Sequence, residues 1–155
     1  MATNLSKNFT LEELCRSEKA DSLGLKNVPN ATEKGELTKL ANDILQKVRD
    51  KCSFPIKVNS GFRSEKVNKA VGGSSTSQHR KGQAADIVAL GGHTNKELFD
   101  IIYKMIMNKE ITVGQLINEY NYSWVHVSLP YSKKNDILDA ITKGGKRCYI
   151  KHLQK

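Results

Sequence analysis

The run Ala84-Ala-Asp-Ile-Val-Ala-Leu90 sets one carboxylate, Asp86, inside a segment otherwise apolar enough to be a buried strand. A carboxylate leaves water only if it is ion-paired, hydrogen-bonded or bound to a metal. Whatever this chain folds into must therefore bring a partner to Asp86. Arg80 or another base would serve as a salt-bridge partner. His79, just upstream, offers a different kind of partner, because Gly82, Ala84 and Ala85 between them allow the chain to double back beneath an ion. A further imidazole, His126, lies in the strand-like run Trp-Val-His-Val-Ser. Taken singly, His79 reads as a loop histidine and His126 as a packed strand histidine. Taken together, two imidazoles and one carboxylate form a zinc donor set with a fourth position open for water, the mark of a catalytic rather than a structural site. Cobalt or manganese suits the same donors.

The elements around this set follow from pattern. Thr10-Leu-Glu-Glu13 is a capping box opening a short helix over about 10–17. Residues 22–32 carry Gly24, Pro29 and two asparagines and read as a loop. A helix is predicted over about 33–51, with Leu37, Leu40, Ala41, Ile44, Leu45 and Val48 on one face. A short strand over 55–59 enters a turn at Ser60-Gly61, and Ser64 caps a helix over 65–71. Residues 74–83 read as a loop, 84–90 as a strand, and Thr94-Asn-Lys-Glu97 caps a helix to about 108. Gln115–Tyr120 and Trp124–Leu129 form two strands joined by a tight turn. In the tail, 137–142 has a weak helical pattern, followed by Gly144-Gly145 and a strand at 148–150. The order implies an α+β fold, a small, mostly antiparallel sheet with flanking helices.

The chain has 155 residues, which suits one domain spanning 1–155 and one core. No apolar run is long enough to cross a bilayer. The N-terminus lacks an apolar signal region, so cytoplasmic residence on synthesis is expected. Cys15, Cys52 and Cys148 are odd in number, widely spaced and free of Cys-x-x-Cys pairs, as expected of reduced thiols. A net charge of +9 favours a polyanionic partner. The basic residues are scattered and no nucleic-acid motif accompanies them, so nucleic acid is not the expected partner.

The pattern Ser77-x-His79-x-x-Gly82-x-Ala84-x-Asp86 with a distal Trp-Val-His126 resembles the zinc D-alanyl-D-alanine carboxypeptidase family, which shares its fold with the hedgehog signalling domain. Ser60-Gly-Phe-Arg63-Ser is similar to that family's Ser-Gly-aromatic-Arg-Ser element, and Phe9-Thr-Leu-Glu-Glu to its phage and prophage endolysin subgroup. The resemblance covers about residues 5–130 and leaves the tail from 131 unassigned. It implies that His79, Asp86 and His126 bind one zinc ion and that Arg63 steadies the substrate carbonyl. It further implies a monomeric peptidoglycan hydrolase acting at a D-alanyl bond on an anionic cell wall after release from the cytosol. A zinc-binding module of the same fold without hydrolytic activity is the alternative.

Many members of that family place an acidic residue three positions before the distal histidine, where this chain has Ser123. The nearest upstream carboxylate is Glu119. If the hairpin turn leaves two or four residues unpaired, Glu119 faces Trp124 and lies diagonal to His126 on one face, where it can act as general base; a three-residue loop turns it away. Ser77 and Gln78 are candidates for orienting ligands or substrate, and Trp124 for lining the cleft. Tyr120 and Tyr122 receive no role, and His93 and His152 read as surface residues.

Overall fold

The computed structural model describes residues 3–153. Helix α1 (Leu11–Cys15) starts at Thr10, whose hydroxyl accepts from the Glu13 amide, and ends after one turn. Ser17 caps a second short helix, α2 (Glu18–Leu23), which Gly24 closes in the left-handed conformation at φ 65°. The sequence pattern misses α2, because six residues are too few to show a helical stripe. Asn30 and Glu33 form a reciprocal capping box at the start of α3 (Ala31–Leu40). This helix runs through a π-helical segment (Ala41–Leu45) into α4 (Gln46–Lys51). All six residues of its predicted apolar face are buried in the core.

The strands are β1 (Ile56–Ser60), β2 (Ala84–Ala89), β3 (Gln115–Glu119), β4 (Trp124–Ser128), β5 (Asp136–Lys143) and β6 (Lys146–Lys151). They form a sheet in the order β1-β2-β4-β3-β5-β6, antiparallel throughout except where β5 runs parallel to β3. Between β1 and β2 come α5 (Glu65–Ala70) and a 3-10 turn (Gln78–Lys81) inside the predicted 74–83 loop. Helix α6 (Asn95–Met107) joins β2 to β3. The α+β architecture with a mostly antiparallel sheet and flanking helices is the one the element order implies.

Side chains alternate across a strand, so the sheet has two characters. Ala85, Ile87, Leu116, Val125 and Val127 point to the core with Leu98, Phe99 and Ile102 of α6. Asp86, His126 and Ile117 alternate with them and face the other way. The tail departs from expectation. Residues 137–142 are not helical but lie in β5, whose backbone bonds along the whole of β3 from Gln115↔Asp136 to Glu119↔Ala140. The open edge of β3 needs backbone partners, and the β-branched Ile137, Ile141 and Thr142 suit a strand. Gly144 and Gly145, both at positive φ, make the two-residue turn that returns the chain as β6, longer than the predicted 148–150.

Candidate metal centre

Asp86 and His126 are direct cross-strand partners in the β2–β4 pair, so their side chains leave the same face together. Asp86 Oδ1 lies 2.9 Å from His126 Nδ1. His79 reaches them from the 3-10 turn, with Nε2 at 3.4 Å from the same oxygen. One ligand atom from each of the three residues falls within 4.8 Å of the others, an arrangement that could hold a metal ion. Arg80 is not the partner of Asp86; it donates to the Ser75 carbonyl at 2.7 Å and faces Glu65.

The turn that presents His79 is tightly built. Ser77 caps it by accepting from the His79 amide at 3.2 Å. Gly82 ends it at φ 73°, and a Cβ there would meet the Glu33 carbonyl oxygen at 2.7 Å, so both conformation and space require glycine. The Arg63 amide donates to the His79 carbonyl at 2.9 Å. His79 Nδ1 lies 2.7 Å from the Gly61 carbonyl oxygen. A carbonyl only accepts, so Nδ1 carries the proton, and in the neutral ring Nε2 presents its lone pair to Asp86 and His126. This tautomer is the one a metal ligand requires, and the donor set fits a metal on that ground.

The electrostatics agree. In the metal-free protein with both imidazoles protonated, burial alone pushes the Asp86 carboxyl up, but the charge of His79, the hydrogen bonds from His126 and His79 and the charge of His126 outweigh it and hold the group well below the usual range. A site that stabilises a carboxylate between two imidazoles is already arranged for a cation.

Glu119 ends β3 directly opposite Trp124, with His126 on the diagonal. Four residues, 120–123, make the turn, and three of them are left-handed: Tyr120 (φ 50°), Asn121 (φ 55°) and Tyr122 (φ 62°). The even loop length puts Glu119 on the metal-facing side, as the hairpin argument requires. Glu119 is 4% exposed, and its Oε2 is a buried atom with no hydrogen-bond partner among the described residues. Burial raises its pKa, His126 and Arg147 pull it down, and Asp86 raises it further; the net direction is up. Ser123 closes the turn by donating to the Tyr120 carbonyl at 2.8 Å.

Arg63 follows β1 and lines the same cleft, a cavity of about 430 Å³. Its Nη2 lies 3.4 Å from Ser77 Oγ, and its buried Nε is without a partner among the described residues. Burial lowers its pKa, against the pull of Asp86. Gln78 donates to the Leu129 carbonyl at 3.3 Å, tying the turn to the end of β4. Trp124 packs on Tyr120 with ring centres 5.9 Å apart and borders the cleft.

Beside Ser132 and Lys133 of the tail, two residues of β6, Arg147 and Tyr149, line this cleft, and no motif announces them. Their only trace in the sequence is an i, i+2 alternation after the Gly-Gly turn. His93 is a surface residue as expected, its Nδ1 at hydrogen-bond distance, 2.7 Å, from Glu97. His152 is not: its side chain is 7% exposed, packed on Phe99 and 2.8 Å from Asp139. Tyr122 stacks edge-on against Phe99 on the core side.

Three candidate ligands bordering an open cleft are the donor set that metal-dependent hydrolases use. A model of the Peptidase M15 family matches residues 7–128, and the chain belongs to that family. It is thus a metallopeptidase-family hydrolase with a candidate His-Asp-His metal site. No curated protein matches the chain.

Proposed function

We propose that this protein is a zinc metallopeptidase that hydrolyses D-alanyl-type peptide bonds in peptidoglycan stem peptides or cross-links, acting as a phage or prophage lysin. The observation that carries the reading is the meeting, on one face, of the His79–Asp86–His126 cluster and the unpartnered carboxylate oxygen of Glu119. The sequence resemblance supports the substrate class, and the +9 charge suits a wall rich in carboxylates and phosphates.

In this reading His79 Nε2, Asp86 and His126 hold the zinc. A zinc ion held there would supply Lewis-acid chemistry, which makes a water acidic near neutral pH. Glu119 takes a proton at its carboxylate from the attacking water and delivers it to the leaving amine. Its burial on the metal-facing side of the hairpin places it for both tasks. Arg63 places its guanidinium beside the developing oxyanion, where a preorganised donor contributes most. Ser77 keeps the His79 turn and Arg63 in register through its two contacts. Gln78 braces the turn, and Trp124 offers an apolar wall to the peptide. The protein is made and held in the cytoplasm and acts on the wall after release.

The departure at Ser123, where many relatives carry an acid, favours a second reading, a zinc-binding module without hydrolysis. One assay separates the two. Zinc-loaded protein is incubated with purified peptidoglycan beside an EDTA-treated sample and a Glu119→Ala variant, and new amino groups are counted. Release abolished in both controls supports the peptidase with Glu119 as base. Release that survives the alanine change removes Glu119 from that role. Zinc binding with no release from any of several wall types favours the module.

A further inference from the structure

Ala140 lies between Glu119 and Tyr149 in one cross-strand row, Trp124–Glu119–Ala140–Tyr149. Strands sit about 4.8 Å apart, so β6 lies roughly 9–10 Å from the Glu119 strand. Ala140 is small and 1% exposed, and does not fill that interval. Arg147, two residues before Tyr149 on the same strand, shares its face. Both line the cleft that holds His79, Asp86 and His126.

The Arg147 guanidinium is held in place by neutral groups. Its Nε donates to the Tyr120 hydroxyl at 2.6 Å and Nη1 to the Tyr149 hydroxyl at 3.2 Å. The cation sits over the Tyr120 ring, 5.4 Å from its centre. A guanidinium has five N–H donors, so these two bonds leave three for another acceptor. None of the ion pairs among the described residues involves Arg147. The remaining charges bordering the cleft sharpen the point. Arg63, Arg147 and Lys133 face two carboxylates, Asp86 and Glu119, and both of those are engaged by the proposed metal and proton chemistry. A cleft with cations to spare and a preset arginine fork matches a planar anion.

We propose that the C-terminal hairpin completes the substrate cleft and that Arg147, aligned by Tyr120 and Tyr149, binds a free carboxylate of the peptide substrate in that cleft. This rests on the peptidase reading of the same cleft. The hairpin lies beyond the family-matched segment, which ends at residue 128. The carboxylate is either the peptide's C-terminal α-carboxylate or an acidic side chain; the chemistry recognised is the same.

The test uses zinc-loaded full-length protein and four peptides sharing one scissile bond. One pair differs in a C-terminal acid or amide, the other in an acidic side chain or its amide. For wild type, kcat/KM favours the acid of one pair by about 10- to 100-fold, the scale of a charged hydrogen bond, and the favoured pair identifies the source. In Arg147→Gln that acid-over-amide ratio collapses towards one, with the loss in KM; Arg147→Lys restores part of it. Equal losses on acid and amide in Arg147→Gln would overturn the proposal. A second readout does not need turnover: the Arg147 Nε–Hε NMR signal is followed while N-acetylated acid and amide peptides are titrated. A shift with the acid alone supports the clamp even if nothing is cleaved, in which case the peptidase reading fails and the clamp stands. No shift with either peptide overturns the clamp, whatever the turnover.

Discussion

Gly61 is the residue on which the stability of the scaffold and the orientation of a metal ligand meet, and replacing it with alanine tests both. A Cβ at Gly61 would sit 2.3 Å from the Leu14 carbonyl oxygen and 3.1 Å from its carbon. The Leu14 carbonyl cannot swing aside freely, because it accepts from the Phe62 amide at 2.8 Å, and both Leu14 and Phe62 are buried. Relieving the clash means overpacking the α1–β1 junction and stretching that bond, together about 2–4 kcal/mol. For a chain of this size, that lowers the melting temperature by about 5–15 °C. The Gly61 carbonyl is also the acceptor that fixes the His79 tautomer, so displacing it should weaken zinc binding by about 10- to 100-fold. Calorimetry of the metal-free protein reads the first effect, and competition against a chromophoric chelator reads the second. Gly35→Ala is the control: it is exposed on α3 with nothing within 4 Å of its Cβ, and should raise stability by about 0.5–1 kcal/mol. A Gly61→Ala protein that melts with wild type refutes the packing argument. One that melts lower yet binds zinc unchanged refutes the orientation argument.

Glu119→Gln should lower kcat by about 10²- to 10⁴-fold while zinc still binds, and isothermal titration beside the amino-release assay checks both parts. In the metal-free protein burial raises the Glu119 pKa, so its side-chain carboxyl should take up a proton, as pH drops, at a value above 4.5, as carbon-detected NMR would show. In the metal-free protein, Asp86 is held below its ordinary 3.8, so its stabilising contribution is full above that pH and is lost as pH falls below it. Thermal melts of Asp86→Asn should therefore lie below wild type at about pH 5 and converge with it under more acid conditions. Burial pushes the Cys15 and Cys52 thiols up to about 11, so iodoacetamide at neutral pH should leave both unmodified until the protein unfolds, as peptide mass spectrometry would show.

What could be read in advance was whatever local pattern decides. The stripe Leu37, Leu40, Ala41, Ile44, Leu45 and Val48 needs only helical periodicity, and it is the core face of α3 and α4. The face of Glu119 turns on how many residues of one hairpin stay unpaired, which local pattern leaves open and the structure sets at four. Asp86 stands out because an apolar strand has no use for a charge. Most of the misreadings share a cause: distant parts of the chain decide them. Residues 137–142 carry a pattern compatible with helix or strand, and the free edge of β3 chooses strand. His152 is polar, but Phe99 and Asp139 arrive from far away in sequence to cover it. Arg147 has no local signature, since its meaning depends on which strand lies beside β3. Short α2 could have been found by its caps, Ser17 and Gly24, rather than by its face.

The two faces of the sheet explain how a small chain keeps a charged site rigid. On the core face, Leu116, Val125 and Val127 lie against α6 and leave β3 and β4 no freedom to slip, because a one-residue shift would bury His126 and expose valines. The polar cluster on the opposite face is therefore held in register by apolar packing it does not touch. β5 extends the same logic by pairing with β3 on its other side, up to Ala140 opposite Glu119. Asp139, pointing the other way, takes a hydrogen bond from Asn118 at 3.2 Å and engages His152 at 2.8 Å. Asn118 in turn accepts from the Tyr122 amide at 2.6 Å, bracing the left-handed turn that follows Glu119. The tail thus acts on the site from both faces, fixing the Glu119 turn from the core side and delivering Arg147 to the cleft. A chain cut after the family-matched segment would keep every proposed zinc ligand, yet lose the strand that holds the proposed base and the arginine beside it.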